Sequence, residues 1–258
     1  MIATDLDGTL LRSDGSISAR TRDALALAER AGSQVIFVSG RPPRWLDELA
    51  DAIGAHGLAI CANGALVYDV ADREVVEQHG LPGEAALQVA RALREAVPGV
   101  VFAVERRLEF GREPVFMEHW PLPDGAIEAE LEELLVDPVA KLIARHDDLD
   151  ADEFKSRAAE VVGSMAEATH SSPSAMLEIS AAGVSKATTL AQLCAERDVE
   201  PEQVLAFGDM PNDVPMLSWA GTSYAVANAH PDAVEVADHR CGSNDEDGVA
   251  EVLERVFG

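Results

Sequence analysis

Asp5 and Asp7 stand one residue apart in the stretch Asp5-Leu6-Asp7-Gly8-Thr9-Leu10, directly after the apolar lead-in Met1-Ile2-Ala3-Thr4. On a strand, whose side chains alternate with period two, both carboxylates project to one side. Like charges held that close repel, and they persist mainly where a cation or a shared proton relieves them. Two further carboxylates, Asp209 and Asp213, flank Asn212 in Gly208-Asp209-Met210-Pro211-Asn212-Asp213, behind the apolar run Val204-Leu205-Ala206-Phe207. Ser39 follows Val35-Ile36-Phe37-Val38 and precedes Gly40-Arg41-Pro42, and Lys186 opens a helical stretch. Carboxylates from two strand ends could hold Mg2+, which takes hard oxygen ligands in octahedral geometry and keeps some waters. A hydroxyl, a helix N-terminus and an ammonium could hold the oxygens of a phosphate. The combination suits phosphoryl transfer, in which positioning and charge neutralisation carry most of the catalysis. An ionised Asp can act as nucleophile and form an aspartyl-phosphate. A second Asp two residues on can protonate the leaving alcohol and later activate water.

Each piece has a plainer reading when taken singly. A bare DxDG is also a solvated acidic turn, Ser39-Gly40 a helix N-cap, Lys186 a solvated charge, and the segment 208–213 a polar loop capping a helix. Their occurrence in this order, three of them at the ends of apolar runs and Lys186 at the start of a helix, is what favours chemistry.

The elements that would position these residues follow from hydrophobic pattern. Ser18 caps a helix to about Ala31, ended by Gly32, and Val35–Val38 reads as a strand buried on both faces. Pro42 or Pro43 opens a helix through Trp45, Leu46 and Leu49 to about Ile53, and Leu58–Ala62 is a third apolar run ending in Asn63-Gly64. Strand and helix alternate here as in a parallel sheet covered by helices. Val67–Val70 and Glu74–Glu77 then read as a hairpin. From about Leu81 the pattern changes: helices over about 84–96, 125–135 and 151–164 are interleaved with strands at 100–104, 110–111, 115–117, 140–144 and 176–179. From Gly183 the first style returns, with a helix over 186–197, strands at 204–207 and 224–227, and a last helix over about 245–256. The expected fold is therefore α/β: a doubly wound, Rossmann-like parallel-sheet core formed by residues 1–80 and 182–258, with an α+β lid inserted at 81–181. In such a sheet parallel strand ends share one edge, so residues distant in sequence can converge.

Composition bounds the partners. The 258 residues are 47% hydrophobic, enough for a proper core, and carry a formal net charge of −26. That charge argues strongly against nucleic-acid binding, which needs a basic footprint. An acidic protein handling an anionic substrate needs a local cation or helix N-termini to offset its own field. Cys61, Cys194 and Cys241 have no metal-type spacing and read as reduced thiols. With neither a leader nor a membrane-spanning run, the expectation is a soluble cytoplasmic chain without a membrane partner.

These motifs resemble the haloacid dehalogenase superfamily of phosphatases. Asp5-Leu6-Asp7-Gly8-Thr9 is similar to its DxDGT motif, Ser39 to its second motif, Lys186 to its third, and Gly208–Asp213 to its GDxxND motif. The hundred-residue insertion resembles the type IIB cap of the Cof-type subfamily, as do Cys61-Ala62-Asn63-Gly64-Ala65 and Asn228-Ala229-His230-Pro231. The resemblance implies Asp5 as nucleophile and Mg2+ ligand, and Asp7 as general acid/base that ligates Mg2+ through its carbonyl. It also implies Asp209 as a ligand, with Asp213 binding directly or through water. Ser39, Lys186 and Asn212, with the backbone at Leu6 and Gly40, would bind the phosphoryl group, and Arg41 and Asn63 would touch substrate. In the cap, Glu105, Arg106, Arg107, Glu118, His119 and Trp120 are candidate contacts. Only four residues precede Asp5, so the first strand is short, and Ala187 stands where the subfamily usually has glycine. The expected activity is Mg2+-dependent hydrolysis of a small phosphorylated metabolite, foremost a sugar phosphate. Its alternatives are a phosphosugar mutase and an idle ligand-binding protein on the same fold, and the oligomeric state is left open.

Overall fold

The computed structural model describes residues 1–47, 57–116, 122–169 and 176–258, with the side chains of 151 and 152 left aside. The sequence-expected helix beyond Asp47 and the residues Met117, Glu118, His119 and Trp120 lie outside the described residues. The chain forms two compact units, one from Met1–Val76 with Lys186–Gly258 and one from Glu77–Ser185.

The first unit is built on an eight-stranded sheet. In chain order its strands are β1 (Ile2–Thr4), β2 (Val35–Val38), β3 (Leu58–Cys61), β4 (Leu66–Asp69) and β5 (Glu74–Gln78). After the insertion come β12 (Leu205–Gly208), β13 (Thr222–Ala225) and β14 (His239–Arg240). The spatial order is β14-β13-β12-β1-β2-β3-β4-β5. From β14 to β3 every pairing is parallel, and β4 folds back antiparallel on β3. Strands β1 and β2 are buried along their whole length, as continuous apolar runs require when helices cover both faces. Helices α1 (Ala19–Arg30) and α2 (Pro43–Leu46) belong to the first half. One face of the sheet presents Ala3, Ile36, Val38, Ile60 and Ala206 to Leu190, Leu193, Met216 and Leu217, which lie on helices after the insertion. The fold class is α/β with a doubly wound, mainly parallel sheet.

The second unit has six strands in the order β10-β11-β9-β6-β7-β8. They are β6 (Val101–Glu105), β7 (Phe110–Arg112), β8 (Ile127–Glu128), β9 (Lys141–Arg145), β10 (Ala166–Thr169) and β11 (Met176–Ala181). All pair antiparallel except β7 with β8. Helices α3 (Gly83–Ala96), α4 (Leu131–Leu134) and α5 (Ala151–Val162) accompany them. Val89, Ala90 and Leu93 of α3 and Phe154, Ala158 and Val162 of α5 pack against Phe102, Val104, Leu142, Leu177 and Ile179. The alternate strand positions carry charge: Lys141 is buried and pairs with Glu178 at 2.8 Å.

Two expectations for the second unit are corrected. The helix expected over 125–135 is confined to Leu131–Leu134, because Gly125 takes a φ of +77° and Ile127–Glu128 pairs with Gly111–Arg112 instead. The strand expected from Val115 is a turn at 114–116.

Chain reversal after the insertion is served by α6 (Lys186–Ala195), α7 (Val214–Trp219), α8 (Pro231–Val236) and α9 (Gly248–Phe257). Asp247, in a left-handed conformation with φ 60°, ends a 3-10 turn and begins α9, where one continuous helix is expected from the sequence.

Candidate active site

Because β12, β1 and β2 are adjacent and parallel, the residues after their carboxyl ends leave the sheet on one edge. Asp5 follows β1, its N–H still donating to the Phe207 carbonyl at 3.0 Å. Ser39 follows β2, with its N–H on the Ile60 carbonyl at 2.8 Å. Asp209 follows β12, and a 3-10 turn at Pro211–Asp213 brings Asp213 back beneath it. The backbone N–H groups of Asp209 and Met210 donate to Asp213 Oδ2 at 3.0 and 2.9 Å. A Cβ at Gly208 would lie 2.6 Å from that of Asp213, so the turn needs glycine there.

Lys186, the first residue of α6, is 1% exposed. A helix N-terminus and a dry interior both disfavour an ammonium. What holds it is charge: Nζ donates to Asp5 Oδ1 and to Asp213 Oδ1, both at 2.6 Å. Burial lowers the tendency of this amine to hold its proton, but Asp213 and Asp5 more than offset that and leave its pKa above that of ordinary lysine.

Asp5, Asp209 and Asp213 are buried and offer oxygens that all lie within 4.8 Å of one another. Three carboxylates share one lysine, so negative charge is in excess. Desolvation raises the Asp5 pKa well above the usual carboxylate range, Lys186 pulls it back only in part, and Asp213 and Asp209 push it further up. Burial, then repulsion by Asp213, lifts Asp209 to about 6. A hard-oxygen cluster with unbalanced charge fits a divalent cation, since a cation relieves what Lys186 alone does not.

Gly8 and Thr9 hold Asp209 in place, a role that sequence reasoning missed for both. Thr9 Oγ1 donates to Asp209 Oδ1 at 2.8 Å. Gly8 has φ +79°, and a Cβ there would overlap Asp209 Oδ2. The signal is the GT of DxDGT, which by residue type alone reads as a turn. Asn228 was also without an assigned role: its side-chain NH2 donates to the Gly8 carbonyl at 2.7 Å.

The remaining sequence candidates are placed as follows. Asp7 does not join the buried carboxylates. The strand ends at Thr4, so its alternation does not extend to Asp7, and the turn at Gly8 carries the side chain outward to 56% exposure. There Arg41 grips it with two bonds, Nε to Oδ2 at 2.7 Å and Nη2 to Oδ1 at 2.5 Å. Ser39 is buried, and its Oγ accepts from the Arg41 N–H at 3.1 Å. Leu6 is buried in the turn, its carbonyl accepting from the Leu11 N–H at 2.8 Å. Gly40 lies between Ser39 and Arg41 in the same loop. Asn63 and Asn212 are both buried, and Asn212 Nδ2 donates to Asn63 Oδ1 at 3.1 Å. Asn212 Oδ1 is buried without a hydrogen-bond partner among the described residues. In the second unit Glu105 is buried, whereas Arg106 donates to the Leu134 carbonyl at 2.8 Å and Arg107 is exposed.

No helix among the described residues is long and apolar enough to cross a membrane. Residues 2–253 match the family model of haloacid dehalogenase-like hydrolases. Pyridoxal phosphate phosphatase YbhA of Escherichia coli is 30% identical over 98% of this chain and 97% of its own. The 5-amino-6-(5-phospho-D-ribitylamino)uracil phosphatase YcsE of Bacillus subtilis is 29% identical over 98% of this chain and 94% of its own. A solved haloacid dehalogenase-like hydrolase from Bacteroides thetaiotaomicron is 28% identical, with a TM-score of 0.79 over 99% of this chain and 98% of its own. The chain therefore belongs to the haloacid dehalogenase-like hydrolases and is a phosphatase.

Proposed function

We propose that the chain hydrolyses phosphate monoesters of small polar metabolites, sugar phosphates foremost, through an aspartyl-phosphate on Asp5 and with Mg2+. The observation that carries this is Lys186 Nζ at 2.6 Å from both Asp5 and Asp213 inside a buried carboxylate cluster at the carboxyl edge of the sheet. Two relatives along the full chain are named for phosphate esters of small molecules, one a pyridoxal phosphate and one a phosphoribityl compound.

The Asp5 carboxylate attacks phosphorus while the ester oxygen leaves. Asp7 gives that oxygen its proton, and an alcohol departs. Asp7, now a carboxylate, takes a proton from water as the water oxygen attacks the aspartyl-phosphate. Inorganic phosphate is released and Asp5 is restored. Lys186 shields Asp5 from the incoming phosphate dianion and, with Ser39, Asn212 and the N–H groups of Leu6 and Gly40, holds the phosphoryl oxygens. Both Asp7 carboxylate oxygens accept from Arg41, so proton exchange with a leaving group requires that this pairing loosen, which supports Arg41 as a substrate contact. Asp5, Asp209, Asp213 and the Asp7 carbonyl are the residues that would hold Mg2+. When bound, that ion supplies positive charge against the transferring group and orients it. We assign choice of leaving group to the inserted unit, acting as a lid.

Phosphate release is to be measured from sugar phosphates, nucleotides and pyridoxal phosphate, with and without Mg2+, beside Asp5→Asn. Metal-dependent release that Asp5→Asn abolishes is the expected result. Absence of release from every compound, with the protein folded and Mg2+ bound, would sink the assignment.

A further inference from the structure

Asn63 sits where asparagine is not an incidental choice. It occupies the tight turn between β3 and β4 in a left-handed conformation, φ 57° and ψ 30°, and only 4% of it is exposed. Asparagine tolerates that region better than most residues, but glycine would do so at no cost, and a buried amide must find partners. The turn faces the site from several directions. The Asn63 N–H donates to the Ser39 carbonyl at 3.1 Å, and the Ala62 N–H to the Arg41 carbonyl at 2.9 Å. Its neighbour Gly64 accepts from Thr189 Oγ1, one turn along α6 from Lys186, at 2.8 Å. The Asn63 side chain accepts from Asn212 Nδ2 at 3.1 Å. Three segments that enter the phosphoryl site from distant parts of the sequence are thus joined by one turn, 62–64.

The Asn212 amide marks what the turn is for. Its carbonyl end is buried and has no hydrogen-bond partner among the described residues, while its NH2 end is held by Asn63. An NH2 group has two hydrogens. With one engaged by Asn63 Oδ1, the amide plane is fixed and the second N–H has a set direction. We propose that Asn63 is a positioning residue for phosphoryl transfer: it orients the Asn212 amide as a phosphate donor and ties that donor to the Ser39 loop. It acts through Asn212, not by touching substrate as its place in the sequence suggests. The proposal rests on the phosphoryl-transfer chemistry above.

The test is a double-mutant cycle of Asn63→Gly and Asn212→Ala, read with para-nitrophenyl phosphate and with orthovanadate as a phosphoryl-site inhibitor. Glycine keeps the backbone conformation and removes only the amide. Each single variant is expected to lower kcat/KM about tenfold and to weaken vanadate inhibition by a similar factor. The double variant should fall no further than the worse single, because both remove one oriented N–H. Asn63→Ala adds backbone strain, so it should lower Tm below that of Asn63→Gly while losing the same activity. If it does not fold, Asn63→Gly and the cycle carry the test alone. Multiplying losses in the double variant, or Asn63→Gly with unchanged vanadate affinity, would overturn the proposal while leaving the phosphatase intact. A folded wild type that releases no phosphate would overturn both, and the Asp5→Asn control separates that case.

Discussion

At the residue scale, the least conspicuous member of the DxDGT stretch is the most constrained. Gly8 serves two needs at once: φ +79°, which a side chain resists, and space for the Asp209 carboxylate, which a Cβ would overlap. Left-handed backbone alone costs a non-glycine residue roughly 1–2 kcal/mol. Gly8→Ala is therefore expected to lower stability by about that amount and, by pushing Asp209 aside, to weaken Mg2+ binding at least tenfold by calorimetry. Normal Mg2+ affinity in a folded Gly8→Ala protein would show that Asp209 is not held by that contact. The chemistry-bearing residue types were legible in the sequence through their coincidence, since each alone also reads as a turn, a cap or a solvated charge. What residue type alone could not show is direction. Asp7 shares the spacing of Asp5, yet the chain turns between them, and its carboxylate meets Arg41 instead of the cluster. Likewise Asn63 and Asn212 were each found in sequence, but a hydrogen bond across 149 residues is a property of the folded chain.

At the element scale, helix termini separate stability from function. Ser18 caps α1, accepting from the Thr21 N–H at 3.0 Å. Thr189 holds the first turn of α6 through its bond to the Gly64 carbonyl at 2.8 Å. Either bond is worth about 1 kcal/mol, so Ser18→Ala and Thr189→Val should lower the denaturation midpoint by similar amounts. Their effects on rate should differ. Ser18→Ala leaves kcat unchanged, whereas Thr189→Val shifts Lys186 against Asp5 and lowers kcat severalfold. Equal activities in the two variants would mean that α6 is held by its packing and not by this bond. Buried parallel strands were readable from sequence because they are short, continuous and apolar. The segment 125–135 was not, since Ile127, Leu131, Leu134 and Leu135 have helical spacing while an edge pairing with β7 competes for the first of them. Tertiary pairing outweighed local pattern there.

At the scale of the whole molecule, a net charge of −26 and a buried carboxylate cluster make stability depend on protons and cations in two separable ways. Surface repulsion is screened by any salt, because exposed charges lose sight of one another beyond about 8 Å at physiological ionic strength. The buried cluster is not screened so readily and responds to a cation that enters it. For Asp209 the folded pKa, about 6, lies above the ordinary 3.8, so between those values the native state holds more protons than the unfolded chain. Stability from this group is complete below about pH 4 and is lost as pH rises through about 6. The Asp5 shift has the same direction and acts with the same sign. Without divalent cation, this part of the stability therefore declines from pH 5 to pH 7, and Mg2+ should restore it most where the carboxylates are ionised. Thermal denaturation at both pH values, at constant ionic strength set with KCl, isolates the effect. Millimolar Mg2+ should raise Tm by several degrees at pH 7 and by much less at pH 5, and in Asp209→Asn the Mg2+ increment should largely vanish while Tm without metal rises. An equal Mg2+ increment at the two pH values, or one that Asp209→Asn retains, would place the ion's effect on the acidic surface and not in the cluster.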